Sequence, residues 1–320
     1  MPLLFDYPLE QLKTYKGINP RPVDFDAFWD KGLAEMRALD PKVEIKPAEF
    51  QTPYAECSHL FFTGMGNARV HAKLIRPKKM EGKKPAIVMF HGYSGHSGDW
   101  VGKLGYAALG CTVAALDCRG QAGLSEDSGN PKGWTLRGHI VRGLDDSPEN
   151  LYYRNMFLDT AQLTKIVMEM PGVDPARVGA MGGSQGGALT LACAALEPRI
   201  KRAAPVYPFL SDYKRVWDLD LAANAYAEIQ DYFRNFDPRH ERENEIFTKL
   251  GYVDIQFLCP RIKGEVLMGI GFQDRICPPS SQFAAYNKIT AKKSYVAYPD
   301  FGHENLPDFG EKTFDFMMGL

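Results

Sequence analysis

Val178-Gly179-Ala180-Met181-Gly182-Gly183-Ser184-Gln185-Gly186-Gly187-Ala188-Leu189-Thr190-Leu191-Ala192 changes character twice along its length. It opens as a short apolar run of strand type, breaks at a cluster of glycines, and resumes as an apolar stretch of helix formers. Gly182 and Gly186 flank Ser184 in a G-x-S-x-G spacing. A strand that turns sharply into a helix needs glycines on either side of the turning residue, because a Cβ there would strike the neighbouring backbone. The serine is then lifted to a helix N-terminus, whose partial positive charge favours an oxyanion. In this setting Ser184 reads as a nucleophile rather than as an incidental polar residue of a turn. No G-K-[ST] follows the glycines, which excludes a phosphate-binding loop.

A serine hydroxyl needs a base, and after such an elbow the acid and the histidine follow in chain order. Two histidines lie downstream. His240 sits in the charged run Asp237-Pro238-Arg239-His240-Glu241-Arg242, which reads as a solvated face. His303, in Pro299-Asp300-Phe301-Gly302-His303-Glu304, follows the last strand-like run and is the expected base. Asp274, in Gly271-Phe272-Gln273-Asp274-Arg275, follows the preceding run and is the expected acid, fixing the imidazole tautomer. Asp300 and Glu304 stand too near His303 along the chain to orient its ring. The oxyanion donors are expected to be the backbone N–H groups of Gln185 and of Tyr93, the latter in His91-Gly92-Tyr93-Ser94-Gly95.

Outward from the elbow, continuous apolar runs at 85–90, 111–116, 177–181, 203–207, 265–270 and 295–298 alternate with intervals of helical length such as 153–170. That rhythm predicts an α/β protein with a mostly parallel, doubly wound sheet. With the elbow it predicts the α/β-hydrolase fold, as a single domain over 1–320. Residues 1–40 read as an arm followed by a helix, with apolar positions at Phe25, Phe28, Trp29, Leu33 and Met36. Residues 43–77 read as antiparallel strands broken at Thr63-Gly64-Met65-Gly66-Asn67. Residues 209–255, aromatic and charged, read as inserted helices that either wall a pocket or serve as a structural or subunit contact.

With 45% hydrophobic and 24% charged residues and a formal net charge of −1, the chain has the composition of a globular domain. No global field would recruit nucleic acid or anionic lipid. The first eight residues lack a secretory pattern, and no run approaches the roughly 18 apolar residues of a membrane span. A soluble, cytoplasmic protein is expected. Cys57, Cys111, Cys118, Cys193, Cys259 and Cys277 are scattered, which reads as reduced structural thiols rather than disulfides or metal ligands.

Three motifs in order, Arg119-Gly120-Gln121, the elbow at 182–187 and His303-Glu304, resemble the acetyl xylan esterase and cephalosporin C deacetylase group, carbohydrate esterase family seven. Asp24-Phe25-Asp26-Ala27-Phe28-Trp29, Arg142-Gly143-Leu144-Asp145-Asp146 and Tyr152-Tyr153-Arg154 extend the likeness over most of the chain. The resemblance implies deacetylation of small partners, acetylated xylo-oligosaccharides and cephalosporin C, by an intracellular enzyme with no metal or organic cofactor. It also implies a ring-like homohexamer with an enclosed interior. It gives Ser184, Asp274 and His303 the catalytic roles and Tyr93 and Gln185 the oxyanion. Read by itself, Arg119 occupies a loop at the edge of the sheet, where its planar donors can hold a carboxylate or carbonyls in a structural role. Cys118 reads as buried filler. Trp100 and Trp134 lie in loops where sugars can stack or the core can pack. A peptidase or lipid esterase on the same fold is the alternative. No upstream propeller supports a peptidase, and the insertion is too charged for a lipase lid. A non-catalytic scaffold would lack a triad residue, and all three are present.

Overall fold

The apolar runs form nine strands of one sheet: β1 (Glu44–Pro47), β2 (Ala55–Thr63), β3 (Arg69–Pro77), β4 (Lys84–Phe90), β5 (Thr112–Leu116), β6 (Val173–Gly183), β7 (Arg202–Val206), β8 (Glu265–Gly271) and β9 (Lys293–Tyr298). The computed structural model describes residues 5–79, 81–129, 132–133 and 138–320, so Trp134 lies outside the described residues. The strand order is β1-β2-β3-β5-β4-β6-β7-β8-β9. β1, β2 and β3 pair antiparallel, as does β3 with β5. Every other pairing is parallel. This is the α/β-hydrolase arrangement expected from the sequence, opened by antiparallel strands.

Alternate residues of the inner strands feed two cores. Val88 and Ala114 face one layer, which includes the helices Tyr152–Met168 and Gln185–Leu196. Ile87 and Val113 face the other, closed by Leu104–Ala108 and Phe309–Met318. All five residues of β5 are buried, as a strand covered on both faces requires. The six cysteines are free and buried. None of the helices described is long and apolar enough to cross a membrane.

The first helix after the arm runs Phe25–Ala38 and buries the five apolar positions its periodicity marks. Each contributes roughly 1.5–3 kcal/mol of transfer free energy. Asp24, at the N-cap position, accepts from the Tyr252 hydroxyl at 2.5 Å rather than from a helix amide. The arm itself is held by Asp212, whose carboxylate accepts from Tyr15 Oη at 2.8 Å, the Ile18 amide at 3.0 Å and the Asn19 amide at 2.8 Å.

Arg119-Gly120-Gln121 lies in the loop that leaves the carboxyl end of β5. β5, which leads into it, is flanked by β3 and β4, and Arg119 is 1% exposed. Its guanidinium makes two parallel bonds to the buried Asp159 of helix Tyr152–Met168, each 2.7 Å, and donates to the Met65 carbonyl at 3.0 Å. The motif thus fastens the loop after β5 to a core helix and to the β2–β3 turn. Burial raises the Asp159 carboxyl, and the Arg119 charge works against that rise.

The insertion forms three helices, Tyr213–Asp218, Ala227–Phe236 and Glu243–Leu250, joined around the rings of Trp217, Phe233 and Phe247. His240 is exposed, as expected, although its ring also packs on Phe233 at 4.6 Å. From the second helix, Glu228 reaches under the loop around residue 139. Its buried carboxylate accepts from Tyr93 Oη at 2.9 Å and from the amides of His139 and Val141 at 3.1 and 2.9 Å. With Asn224 and Ala225 it lines a cavity of about 240 Å³ shared with Tyr93 and Ser94. The insertion therefore walls a pocket beside the expected oxyanion loop.

Two stability predictions follow from these buried charges. Arg119→Ala leaves the Asp159 carboxylate buried and unpaired and is expected to cost about 3–5 kcal/mol, read from urea unfolding midpoints. Unchanged stability would remove Arg119 from this role. Burial also pushes Glu228 up to about 7 from 4.5. Between those values the native chain keeps a proton that the unfolded chain has lost. Stability from this group is therefore full below about pH 4.5 and falls until about pH 7, by on the order of 3 kcal/mol. Glu228→Gln should flatten that slope in melts taken across the window.

Candidate active site

β6 ends at Gly183, and Ser184 follows with φ 58° and ψ −120° before the helix Gln185–Leu196 begins. Few side chains tolerate this strained backbone, and packing on every side maintains it. A Cβ on Gly182 would lie 2.5 Å from the Phe90 carbonyl oxygen, and one on Gly186 would lie closer still. The Ser184 amide donates to the Val206 carbonyl at 3.0 Å, and the Ser184 carbonyl accepts from the Phe209 amide at 3.0 Å. The elbow is thus clamped between β4 and β7, with its hydroxyl directed away from the sheet.

The structure brings the three expected residues together. Ser184 Oγ lies 2.9 Å from His303 Nε2, and His303 Nδ1 lies 2.7 Å from Asp274 Oδ2. Asp274 is fully buried, and its other oxygen accepts from the amides of Ile276 and Cys277, each at 2.8 Å. A carboxylate held this way accepts from Nδ1–H, leaving Nε2 as the lone pair facing the serine. The loops after β8 and β9 that carry the pair are laced by Phe272 N–H to Tyr298 O and Gln273 N–H to Phe301 O, both 2.9 Å. Glu304 accepts from the Gly302 amide at 2.9 Å and shapes the histidine turn.

The two expected anion donors are also in place. Among the described residues, neither the Gln185 amide, at the helix start, nor the Tyr93 amide has a hydrogen-bond acceptor. The 91–95 loop passes directly over the nucleophile: a Cβ on Gly92 would lie 4.0 Å from that of Ser184. The Gln185 side chain is fully buried and pairs reciprocally with Gln121, Nε2 to Oε1 at 2.8 and 3.1 Å, while Tyr153 Oη donates to it at 3.0 Å. The third residue of the Arg119-Gly120-Gln121 motif therefore braces the residue that follows the nucleophile.

Sequence reasoning missed Tyr207. It follows β7 at the same end of the sheet as Ser184, has φ 30°, and sets its ring 4.4 Å from the His303 ring. Its position after the strand next to the elbow was the available signal. Asp274, Cys277 and His303 bring potential metal-ligand atoms within 4.8 Å of one another. The imidazole and carboxylate are already bonded to each other, however. Burial, and then the Asp274 charge, also raise the Cys277 thiol well above its ordinary value, against the thiolate a metal would require. The arrangement suits a proton held between two partners.

Comparison with known proteins agrees with this geometry. Residues 1–320 match the acetyl xylan esterase family. Acetyl xylan esterase 1 from Thermoanaerobacterium sp. JW/SL YS485 superposes with a TM-score of 0.97 at 60% identity, covering 98% of this chain and 99% of that one. An acetyl xylan esterase from Paenibacillus sp. R4 follows at 0.93 and 34%, with coverage of 98% and 99%. An acetyl esterase of Xylanibacter ruminicola is 28% identical over 296 residues, 91% of this chain, and the chain spans only 64% of that relative's length. With a match across residues 1–320 and a solved relative 60% identical over nearly all of it, the chain belongs to the acetyl xylan esterase family.

Proposed function

We propose that the protein is a serine carboxylic ester hydrolase that removes O-acetyl groups from small acetylated carbohydrates, xylo-oligosaccharides above all, and from cephalosporin C-like acetyl esters. The observation that carries this reading is the unbroken chain Ser184 Oγ, His303, Asp274 at 2.9 and 2.7 Å. The names borne by the similar solved proteins support the acetyl group as the one removed.

In this mechanism Ser184 Oγ attacks the acetyl carbonyl carbon while His303 Nε2 takes its proton. Asp274 holds Nδ1–H and stabilises the imidazolium without itself being protonated. The carbonyl electron pair moves to oxygen, where the Gln185 and Tyr93 amides receive it, aided by the positive end of helix Gln185–Leu196. Collapse breaks the bond to the sugar oxygen, which leaves with the proton from His303. Water, deprotonated by the same imidazole, then attacks the acetyl-enzyme, releasing acetate and restoring Ser184.

Hydrolysis of p-nitrophenyl esters from C2 to C8, with acetylated xylobiose and cephalosporin C alongside, tests the substrate assignment. A steep acetyl preference with release from the acetylated sugar is expected. A maximum at longer chains, with sugars untouched, would overturn it. Ser184→Ala is expected to lower kcat on the order of 10⁵-fold with an unchanged melting temperature. Substantial turnover by the folded variant would show that another residue is the nucleophile.

A further inference from the structure

A second constellation lies on the antiparallel side of the sheet, on β2, β3 and the end of β5. Asp117 is buried just past β5, and its Oδ2 lies 2.6 Å from Nδ1 of the fully buried His71 on β3. His71 Nε2 lies 2.8 Å from Nδ1 of His59 on β2. Asp117 also accepts from the Ser97 and Leu124 amides at 2.6 and 2.9 Å. Burial works against its charge, but the His71 bond and these amides hold its carboxyl well below the ordinary range.

The carboxylate can only accept, so His71 donates from Nδ1, and His71 Nε2 and His59 Nδ1 share one proton between them. With His71 neutral the outward His59 Nε2 is a lone pair, and with His71 as an imidazolium it is an N–H. A hydroxyl, which both donates and accepts, can meet either. Burial, and then the neighbouring His71, lower the His59 pKa. Among the described residues His59 Nε2 has no protein partner, and it is not an enclosed atom, so it is open to solvent.

His59 opens into a cleft of about 580 Å³ between the edge formed by β1 and β2 and the segments around Trp100 and Leu124. Phe50, Phe61 and Trp100 supply aromatic surface and Leu124 an apolar wall. Lys73 lies over the Trp100 ring at 4.9 Å and braces it. Glu49 lines the cleft with no ion-pair partner among the described residues. Lys46, also in the lining, is taken up by Glu44 at 2.8 Å. Arg69 and Lys46 lie over the Phe61 ring at 4.4 and 5.7 Å, and the His59 ring meets Trp100 edgewise at 5.5 Å. Aromatic rings thus stand beside outward polar groups, His59 Nε2 and the Glu49 carboxylate, a lining that complements a ring with apolar faces and a rim of hydroxyls. A purely apolar contact would have no use for a directed polar atom backed by two buried polar groups.

We propose that this cleft is a non-catalytic binding groove for a neutral pyranose ring, with His59 Nε2 hydrogen-bonded to a sugar hydroxyl and Trp100 stacking on the ring. β2 and β6 stand four places apart in the strand order, roughly 19 Å at about 4.8 Å between neighbours. None of the residues lining the groove belongs to the triad or the expected oxyanion donors. That the bound sugar is part of the substrate glycan rests on the esterase reading above; the binding itself does not.

The probe is unacetylated xylotriose, which carries no ester, titrated by calorimetry into the full-length protein. Saturable binding is expected, weakened about ten-fold or more in Trp100→Ala and His59→Leu, with p-nitrophenyl acetate turnover unchanged. Phe50→Ser, at an exposed rim position, should weaken binding without touching the core and covers the case in which either other variant fails to fold. No binding up to about 20 mM, or binding indifferent to all three changes, would overturn the proposal. So would the dissociation of an oligomer by Phe50→Ser in sedimentation without any sugar binding, which would make the cleft a contact between copies. Absence of ester turnover in the unaltered protein, with sugar binding intact, would refute the esterase reading and leave the groove standing.

Discussion

At the end of β4 the Phe90 carbonyl lies against the backbone of Gly182 and Gly186, with no room for a side chain at either position. Nearly everything in the candidate centre depends on that approach. It lets β6 pass straight into helix Gln185–Leu196 and holds Ser184 at φ 58°. It also carries the 91–95 loop across the nucleophile, so that two unpaired amides converge from different strands. Strain of this kind, of order 1–3 kcal/mol, persists only where the surroundings over-determine it. Here they do so through Val206, Phe209 and the buried Gln185–Gln121 pair.

The other half of the centre is built by reach. Asp274 and His303 come from separate loops after adjacent parallel strands, so their spacing follows from the roughly 4.8 Å between strands and from the bonds lacing the loops. Asp274 is rigid because three donors saturate it, and His303 is rigid because Asp274 and Tyr207 hold its ring from two sides. The site lies on ends of strands and a helix start, which gives it the precision that loops alone lack.

Much of this was legible in the sequence because it depends on local pattern and chain order. The elbow announces itself by glycine spacing between two apolar runs, and the parallel strands by continuous apolarity. Ser184, Asp274 and His303 follow from their order along the chain. What escaped were pairings between distant residues with no periodic signature. Arg119 could be placed in the loop after β5, but nothing in a sequence says that this strand inserts between β3 and β4 or which carboxylate the guanidinium meets. Its partner Asp159 reads as one polar position on a helix. The same holds for Tyr207 and for the His59–His71–Asp117 chain, where the strands bring together residues that carry no shared motif. The insertion could be read as helices, while Glu228's reach beneath Tyr93 depends on tertiary placement.

The N-terminal arm has a consequence for how the chain acquires its structure. Tyr15, Ile18 and Asn19 bond to Asp212, and Asp6 accepts from the Ser280 amide, 274 residues away. On the ribosome the arm emerges well before Asp212 and Ser280, its partners. Local contacts can organise the early strands during synthesis, but the arm must wait as an open chain until most of the molecule exists. Its docking joins the arm to the helix Pro279–Lys288 and closes very long loops in the fold. The arm is thus translated early and placed late, and its attachment requires that residue 280 has been made.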